Sequence, residues 1–187
     1  MSESSLMPTR RDQIVEAATG IFWRYGYART TMSDIAQASG LTRPTLYLSF
    51  PDKEQIFAAV VEKMVAEKLA EIRGQLPRHG SFEDQLRYAC EAWVCEGYEL
   101  VQAHPDAKDM FDLGFKSVSA GYEAFMELLA ALIAAPLRAR FPELGAAETA
   151  RSIVAALKGF KDMAGSAGEL RRLIAVHTRL VAGALRA

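Results

Sequence analysis

Residue types that cross-link a small protein or bind metals in it are scarce in this chain. Its 187 residues include only two cysteines and three histidines. Cys90 and Cys95 cannot build a disulfide framework, and neither belongs to a CxxC pair or lies near two histidines at metal-ligand spacing. The sequence therefore predicts no metal site and no cofactor, and it favours small apolar filler over a redox sensor for both thiols.

Charge of one sign and long apolar runs are also lacking. The 22 Lys and Arg residues nearly balance the 23 Asp and Glu residues, which excludes a generally basic, histone-like protein. No uninterrupted apolar run approaches the roughly 20 residues that cross a bilayer, and residues 1–12 are polar rather than signal-like. We therefore expect a cytoplasmic protein without a membrane partner.

Catalytic motifs are missing as well. His79, His104 and His177 are scattered, and there is no G-x-S-x-G, glycine-rich phosphate loop or paired-carboxylate motif. No catalytic residue is predicted, although an enzyme on the C-terminal part of the chain remains an alternative.

Helical patterns, in contrast, fill the sequence. Capping residues predict helices that begin at Thr9, Thr31, Thr42 and Asp52, the first of them with Tyr25 on its buried stripe and a stop at Gly26. Longer apolar helices follow at 81–103, 115–140, 146–164 and 169–186, the last two as an antiparallel hairpin. We predict an all-α chain with a small N-terminal three-helix domain at 1–53 and a larger helical domain at 54–187.

Residues 31–50 have the pattern of a helix-turn-helix. This motif needs a small residue where its two helices cross and a glycine where the backbone takes positive φ, and Ala36 and Gly40 meet those needs. No Asp or Glu occurs between Asp34 and Asp52, so the outward surface can approach phosphates without charge repulsion. The residues predicted around the outer face of the second helix are Thr42, Arg43, Pro44, Thr45, Tyr47, Leu48 and Ser49.

The order and spacing of residue types from Ile14 to Glu54 are specific to a known family. The matching residues are Ile14-Val15-Glu16-Ala17-Ala18, Phe22, Gly26-Tyr27, Thr30-Thr31-Met32, Asp34-Ile35-Ala36, Ser39-Gly40, Thr45-Leu46-Tyr47, Phe50 and Lys53-Glu54. This pattern resembles the DNA-binding domain of the TetR family of transcriptional regulators. The resemblance implies a homodimer that binds duplex operator DNA, usually represses, and is released by a small molecule held in the C-terminal domain.

The resemblance also implies which residues hold the DNA backbone. Tyr47 and Lys53 occupy positions that the family uses for phosphate contacts, and Thr45 is a similar candidate. Thr31 and Ser33 lie where the first short helix meets the backbone through its N-terminus and hydroxyls.

Base reading is expected mainly from Arg43 and Pro44. Arg43 is of the type that makes a bidentate contact with guanine, and Pro44 and Leu48 can touch a thymine methyl. Leu48 and Ser49 lie where the family varies, so the resemblance says least about them.

One tripeptide allows a different interpretation. His104-Pro105-Asp106 is similar to the loop of J-domain co-chaperones, but a strongly basic helix precedes that loop in a J domain, whereas Glu91 and Glu96 precede it here. Pro105 more simply begins a short helix whose N-terminus Asp106 favours. A helical interaction module without DNA binding remains the second alternative.

The C-terminal part is rich in aromatic and sulfur-containing residues, which is typical of either a plain core or a mostly apolar ligand cavity. Both interpretations stay open, with Trp93, Tyr122 and Phe125 as the best candidates for a pocket. The full set predicted to line it is Met64, Trp93, Phe111, Phe115, Tyr122, Phe125 and Met126.

The last two helices carry more apolar residues than one small domain should leave exposed. A two-fold four-helix bundle would bury them, and a dimer suits a pseudo-palindromic site because one recognition helix reads only a few base pairs. The predicted dimer residues are Ile153, Leu157, Phe160, Leu173, Ile174, Leu180 and Val181.

Overall fold

The computed structural model describes residues 9–112 and 114–186, and every regular element in that part of the chain is helical. The α-helices are α1 (Arg10–Arg29), α2 (Met32–Ala38), α3 (Arg43–Ser49), α4 (Lys53–Gln75), α5 (Phe82–Ala103), α6 (Lys116–Arg140), α7 (Ala146–Met163) and α8 (Ala167–Ala184). Short 3₁₀ helices lie at Leu76–Arg78 and Pro105–Phe111. The predicted all-α class is confirmed, whereas residues 1–8 of the expected polar N-terminus lie outside the described residues.

The chain divides into two compact units. The N-terminal unit contains the residues up to Met64 together with His104–Ser119, and the C-terminal unit contains Val65–Ala103 and the residues from Ala120 onward. The sequence predicts a single boundary after Lys53, but the chain crosses between the units three times: within α4, directly after α5, and within α6.

Side-chain caps fix the first helices where the sequence predicts them. Thr9 and Asp12 form a capping box at the start of α1, and Thr31 and Asp34 form a second one at the start of α2. Thr42 caps α3, and the Asp52 carboxylate accepts a hydrogen bond of 2.8 Å from the Gln55 amide at the start of α4. Each such cap contributes about 1 kcal/mol to the free energy of unfolding.

Helix α1 differs from the prediction at its C-terminal end. Gly26 has φ 76° and ψ 166°, but it makes a kink rather than a stop, and helical turns continue to Arg29. Tyr25, expected on the buried stripe, is 40% exposed. Ile14, Ala18 and Phe22 do face the core, with 0% exposure.

An aromatic cluster holds the N-terminal unit together. The ring of Phe57 lies edge-on to Phe22 at 5.4 Å between centroids, and it contacts Tyr27 at 4.8 Å and Phe115 at 4.6 Å. Edge-on and tilted pairs of this kind stabilise a core by about 1 kcal/mol beyond the area they bury. The cluster joins α1 and α4 to the start of α6, which explains why residues 104–119 belong to this unit.

In the C-terminal unit, α5 and α8 run antiparallel. The start of α5 is tied to the end of α8 by an ion pair between Glu83 and Arg186, and the end of α5 to the start of α8 by Glu99 and Arg171, 2.6 Å apart. The Tyr98 hydroxyl donates to the Ala164 carbonyl at 2.9 Å, in the turn between α7 and α8. These contacts place the C-terminal hairpin against the rest of the unit.

Helix α6 is, among the described helices, the one long and apolar enough to span a membrane by length and composition alone, with a mean hydropathy of 1.4 in its most apolar window. Phe125, Leu129 and Ile133 on this helix are 0% exposed and belong to the core of the C-terminal unit. Core helices commonly have this composition, so it is weak evidence for a membrane span.

Candidate nucleic-acid interface

Helices α2 and α3 form the predicted helix-turn-helix. Ala36 is 4% exposed at the crossing, and its carbonyl accepts a hydrogen bond of 2.9 Å from the Leu41 amide, which closes the turn. Gly40 has φ 68°, as the motif requires, with open space around the position of a Cβ atom. Ile35, Leu46 and Phe50 are 0% exposed and anchor the pair of helices to the core.

The outer face of α3 is exposed and free of acidic side chains. Tyr47 is 44% exposed and Leu48 is 85% exposed, so these large apolar surfaces are presented to solvent. Thr42, Arg43 and Pro44 are exposed as well, whereas Thr45 and Ser49 are half-buried. An exposed leucine of this size, beside a cation and an aromatic ring, is more typical of a binding surface than of a solvated face.

Two of these side chains lie together on α3. The Arg43 guanidinium is 3.4 Å from the Tyr47 hydroxyl and 6.0 Å from the centre of its ring. This spacing is that of an i, i+4 pair on one helix face. Arg43 keeps most of its five N–H donors available, which a bidentate contact with guanine requires.

The N-terminus of α2 is organised by Thr31 and Asp34. The Thr31 hydroxyl and amide donate to the Asp34 carboxylate at 2.7 and 2.8 Å. These hydrogen bonds hold the pKa of Asp34 below its usual value, so the carboxylate is charged at neutral pH. Ser33 is exposed beside this cap. The Thr31 hydroxyl therefore acts as a cap: its one hydrogen is donated to Asp34, and its oxygen accepts from the Asp34 amide.

Lys53 makes hydrogen bonds within the protein that the sequence does not predict. Its ammonium donates to the carbonyls of Tyr27 at 2.6 Å and Thr30 at 2.8 Å, and it lies 4.1 Å from the centre of the Tyr27 ring. Partial burial lowers the pKa of Lys53, while the charge of Asp109 opposes that shift. Lys53 thus joins the start of α4 to the end of α1, and one of its three N–H donors remains after these two bonds.

The kink at Gly26 is held by the Pro105–Phe111 segment. The Asp109 carboxylate accepts hydrogen bonds from the amides of Tyr27 at 2.9 Å and Ala28 at 2.8 Å. A Cβ atom at position 26 would lie 2.1 Å from the Asp106 carbonyl oxygen, so only glycine permits this approach. No local sequence pattern predicts this contact, because its partners are about 80 positions apart.

The His104-Pro105-Asp106 tripeptide therefore has a structural use in this protein. Asp106 forms an ion pair with Arg29 at the end of α1, and Pro105 occupies the first turn of the 3₁₀ helix, as expected. Its contacts are with its own N-terminal unit, which weakens the co-chaperone interpretation.

The seven residues predicted to line one pocket are divided between the two units. Met64, Phe111 and Phe115 belong to the N-terminal unit, where Phe111 lies beside Trp23 at 5.9 Å between ring centroids. Those assigned to the C-terminal unit are Trp93, Tyr122, Phe125 and Met126. Only four of the seven therefore lie in the C-terminal unit, because the segment around Phe111 and Phe115 packs against α1 and α4, and the pocket itself stays a prediction.

Three aromatic rings do meet in the C-terminal unit. Trp93 stacks on Phe125 at 4.5 Å with 5° between the ring planes, and Tyr122 lies edge-on to Trp93 at 5.9 Å. Burial and the charge of Asp162 raise the pKa of Tyr122, and the Lys158 ammonium is 5.7 Å from its ring centre. Phe125 is fully buried, whereas Trp93 and Tyr122 are half-buried.

The two thiols are unsuited to redox or metal chemistry. Burial raises the pKa of Cys90 to about 12 and that of Cys95 to about 11, which keeps both thiols protonated at neutral pH. Within residues 9–112 and 114–186, no group of three or more His, Cys, Asp or Glu side chains is arranged to hold a metal ion.

The α7–α8 hairpin requires a correction to the predicted dimer residues. Ile153, Leu157 and Ile174 are at most 2% exposed and belong to the core of the protomer, because they pack into the buried cluster that includes residues of α5 and α6. Phe160, Leu173 and Val181 are half-buried, and Leu180 is 69% exposed. The apolar side chains that do face outward are Met163 and Val176, at 81% and 60% exposure, together with Leu180.

Comparison with known proteins agrees with the helix-turn-helix geometry. Residues 14–60 match the family model of the bacterial regulatory proteins of the tetR family. The chain is 36% identical over 66 residues to the HTH-type transcriptional repressor ComR of Escherichia coli, which is 35% of this chain and 31% of that protein. The match thus covers only about a third of that relative's own length. The matched relatives are transcriptional regulators, not enzymes.

Solved structures extend the similarity in fold to nearly the whole chain. The fatty acid degradation regulator FadR from Bacillus halodurans superposes with a TM-score of 0.70 at 20% identity, covering 96% of this chain and 98% of that one. FadR from Bacillus subtilis, solved with stearoyl-CoA, gives a TM-score of 0.69 at 14% identity, covering 89% and 96%. At these identities the comparison establishes the fold alone. Residues 14–60 are therefore a DNA-binding domain of the TetR type, the helix-turn-helix domain of bacterial transcriptional regulators.

Proposed function

We propose that this protein is a sequence-specific regulator that binds a pseudo-palindromic operator in duplex DNA as a cytoplasmic homodimer. In this proposal it acts as a repressor and leaves the operator when a small, mostly apolar molecule binds its C-terminal unit. The runner-up interpretations, an interaction module without DNA binding or an enzyme on the C-terminal part, predict no selective binding to duplex DNA.

The outward face of α3 is the observation that carries this proposal. Arg43, Tyr47 and Leu48 are exposed together on a helix that its Thr42 cap and buried Leu46 hold in place. Within this face, Arg43 is assigned to guanine and Leu48 and Pro44 to thymine methyls. Tyr47, Thr45, Ser33, Thr31 and the remaining N–H of Lys53 are assigned to phosphates, and the half-buried Ser49 to the edge of the contact.

Selection of bound fragments from genomic DNA with the purified protein tests this function. We expect recovered duplexes to share a two-fold symmetric site. Arg43→Ala should weaken binding to that site by about 10- to 100-fold and relax the base preference at one position in each half-site, because it removes a bidentate contact. Binding affinity, measured on duplexes with each base at that position, checks the prediction.

Arg151→Ala is the matched control for Arg43→Ala. Arg151 is an exposed arginine on α7 in the C-terminal unit, so its loss removes the same charge away from α3. If Arg43→Ala keeps both the affinity and the base preference of the wild type, the assignment of the recognition surface is wrong.

The proposed effector site is the aromatic group of Trp93, Tyr122, Phe125 and Met126. Half-buried rings that stack with one another offer flat apolar surface to a ligand at small cost in side-chain entropy. A ligand acts only if it binds the DNA-competent and released states with different affinity. Helix α4 runs without interruption from Lys53 into the C-terminal unit, so its tilt is a direct route for such a difference.

Tryptophan fluorescence tests the effector site. Trp23 and Trp93 are the two tryptophans, so Trp23→Phe leaves emission from Trp93 alone. We expect a compound that releases this variant from DNA to change the emission of Trp93 over the same concentration range. Long-chain acyl-CoA belongs in the panel, because FadR of Bacillus subtilis was solved with stearoyl-CoA.

Tyr122→Leu should raise the effector concentration needed for release by about tenfold, since it removes one ring of the site. Tyr88→Leu is the control: Tyr88 is also a half-buried tyrosine of the C-terminal unit, but it stacks on His79. Releasing compounds that leave Trp93 emission unchanged and act equally on both variants would place the effector elsewhere.

A further inference from the structure

The recognition helix α3 is short and held by few buried groups. It has seven residues, and Leu46 is its one buried side chain. A helix of two turns has little stability of its own, so its direction depends on contacts at its ends. At the N-terminal end, Thr42 supplies the cap.

The C-terminal end of α3 has no cap from its own neighbourhood in the sequence. The Phe50 amide donates to the Leu46 carbonyl at 2.9 Å, but the next residue is Pro51, which has no N–H to donate to the following free carbonyl. The last turn of α3 also contains no basic residue to interact with the negative end of the helix.

Arg11 of α1 supplies both missing interactions. Its Nη1 donates to the carbonyl oxygen of Ser49, the last residue of α3, at 2.6 Å. Its guanidinium carbon lies 3.9 Å from the centre of the Phe50 ring, which is fully buried. One side chain thus caps the end of α3, places a positive charge there, and covers the aromatic anchor that follows it.

We propose that Arg11 is a positioning residue for DNA recognition: it fixes the direction of α3 from the first turn of α1 without itself binding a phosphate. This inference rests on the proposed function, since it assigns α3 as the recognition helix. An arginine that positions α3 affects binding to the preferred sequence, where Arg43 and Leu48 must meet particular base edges. An arginine that binds a phosphate affects all DNA sequences alike.

The chain offers a matched control in the adjacent residue. Arg10 is also an exposed arginine in the first turn of α1, and no hydrogen bond or ion pair of its side chain is found among the described residues. Arg10→Ala and Arg11→Ala therefore remove the same charge from the same end of the same helix. Arg11→Lys restores a donor and a charge but not a planar group to stack on Phe50, so it should rescue in part.

Hydrogen exchange measured by mass spectrometry gives a readout that does not require DNA. Arg11→Ala should speed amide exchange in the peptide that covers 43–50, relative to Arg10→Ala and wild type, because the end of α3 loses its cap. Exchange in α4 and in the C-terminal unit should not change. Equal protection of 43–50 in all three proteins would overturn the proposal.

DNA binding is measured with the duplex recovered most often by wild-type selection and with a scrambled duplex of the same length. Arg11→Ala should weaken binding to the selected duplex about tenfold, leave the scrambled duplex unaffected, and keep the salt dependence of the wild type. Equal losses on both duplexes, with a slope smaller by about one per half-site, would identify a phosphate contact and overturn the positioning role. A wild type that selects no DNA contradicts the proposed function itself, and hydrogen exchange then still decides whether Arg11 holds α3.

Discussion

Leu180→Glu is expected to convert the protein from a dimer into a folded monomer that no longer shifts its operator. Light scattering should give a mass near 20.5 kDa for the variant and near twice that value for the wild type. The affinity for an operator with two half-sites should fall by about a hundredfold or more, because a monomer binds only one half-site and loses the gain from binding both at once.

The outward face of the α7–α8 hairpin is the reason for this expectation. Met163, Val176 and Leu180 are the most exposed large apolar side chains of the C-terminal unit. Val176 and Leu180 also line a surface groove of about 450 Å³ near the end of α8, with Arg179 beside them. Burial against a second copy removes this surface from water, and a carboxylate at position 180 would have to lose its hydration there.

Ala147→Glu is the matched control for Leu180→Glu. Ala147 is exposed at the start of α7, so this change adds the same charge to the same hairpin, where a helix N-terminus tolerates it. Leu157 is not a useful site for the test, because it is 1% exposed and its substitution would damage the core. A wild type that is monomeric and still binds its operator tightly would refute the proposed dimer.

The beginnings of helices could be predicted from the sequence because their causes are local. Each of the capping pairs Thr9 with Asp12 and Thr31 with Asp34 involves residues three positions apart. The turn at Gly40 is local as well, since a single residue must adopt positive φ there. These features position α2 and α3, which explains why the outward face of α3 could be assigned before its structure was known.

The contacts that orient these helices could not be predicted in the same way. Arg11 reaches Ser49 over 38 positions, and Asp109 reaches Tyr27 over 82. No local pattern distinguishes Arg11 from Arg10, although their surroundings differ completely. Lys53 was assigned to DNA phosphates by resemblance, and its bonds to Tyr27 and Thr30 depend on how α1 and α4 pack.

Helical periodicity also fails to separate a core face from a partner face when both are apolar. On α7 and α8, Leu157 and Ile174 face the core, whereas Val176 and Leu180 face solvent. Leu157, Ile174 and Leu180 all belong to the predicted apolar surface, but only the packing of the hairpin within its unit decides which of them is already covered. The same limit applies to Phe111 and Phe115. Their aromatic character does not show that they pack in the N-terminal unit rather than in the C-terminal one.

Gly26→Ala is expected to destabilise the N-terminal unit by about 3 kcal/mol or more, because it combines backbone strain with the displacement of a packed segment. Alanine at φ 76° and ψ 166° costs about 1–3 kcal/mol by itself, because this backbone region is essentially restricted to glycine. Its Cβ atom would also lie 2.1 Å from the Asp106 carbonyl oxygen, so the Pro105–Phe111 segment must move away. That movement weakens the hydrogen bonds from Tyr27 and Ala28 to the Asp109 carboxylate, which are charge-assisted.

Two other glycines separate these causes when unfolding is followed with denaturant. Gly40→Ala has a similar φ of 68° but open space around its Cβ atom, so it should cost only the conformational part, about 1–2 kcal/mol. Gly20→Ala lies in the regular part of α1 with nothing near its Cβ atom, so it should stabilise the protein by about 0.5–1 kcal/mol. If Gly26→Ala costs no more than Gly40→Ala, the Pro105–Phe111 segment does not hold the kink of α1. Asp109→Ala is a second test of the same contact. If Gly26→Ala costs more than Gly40→Ala and Asp109→Ala loses a similar free energy of unfolding, the extra cost comes from the two hydrogen bonds that the Asp109 carboxylate accepts.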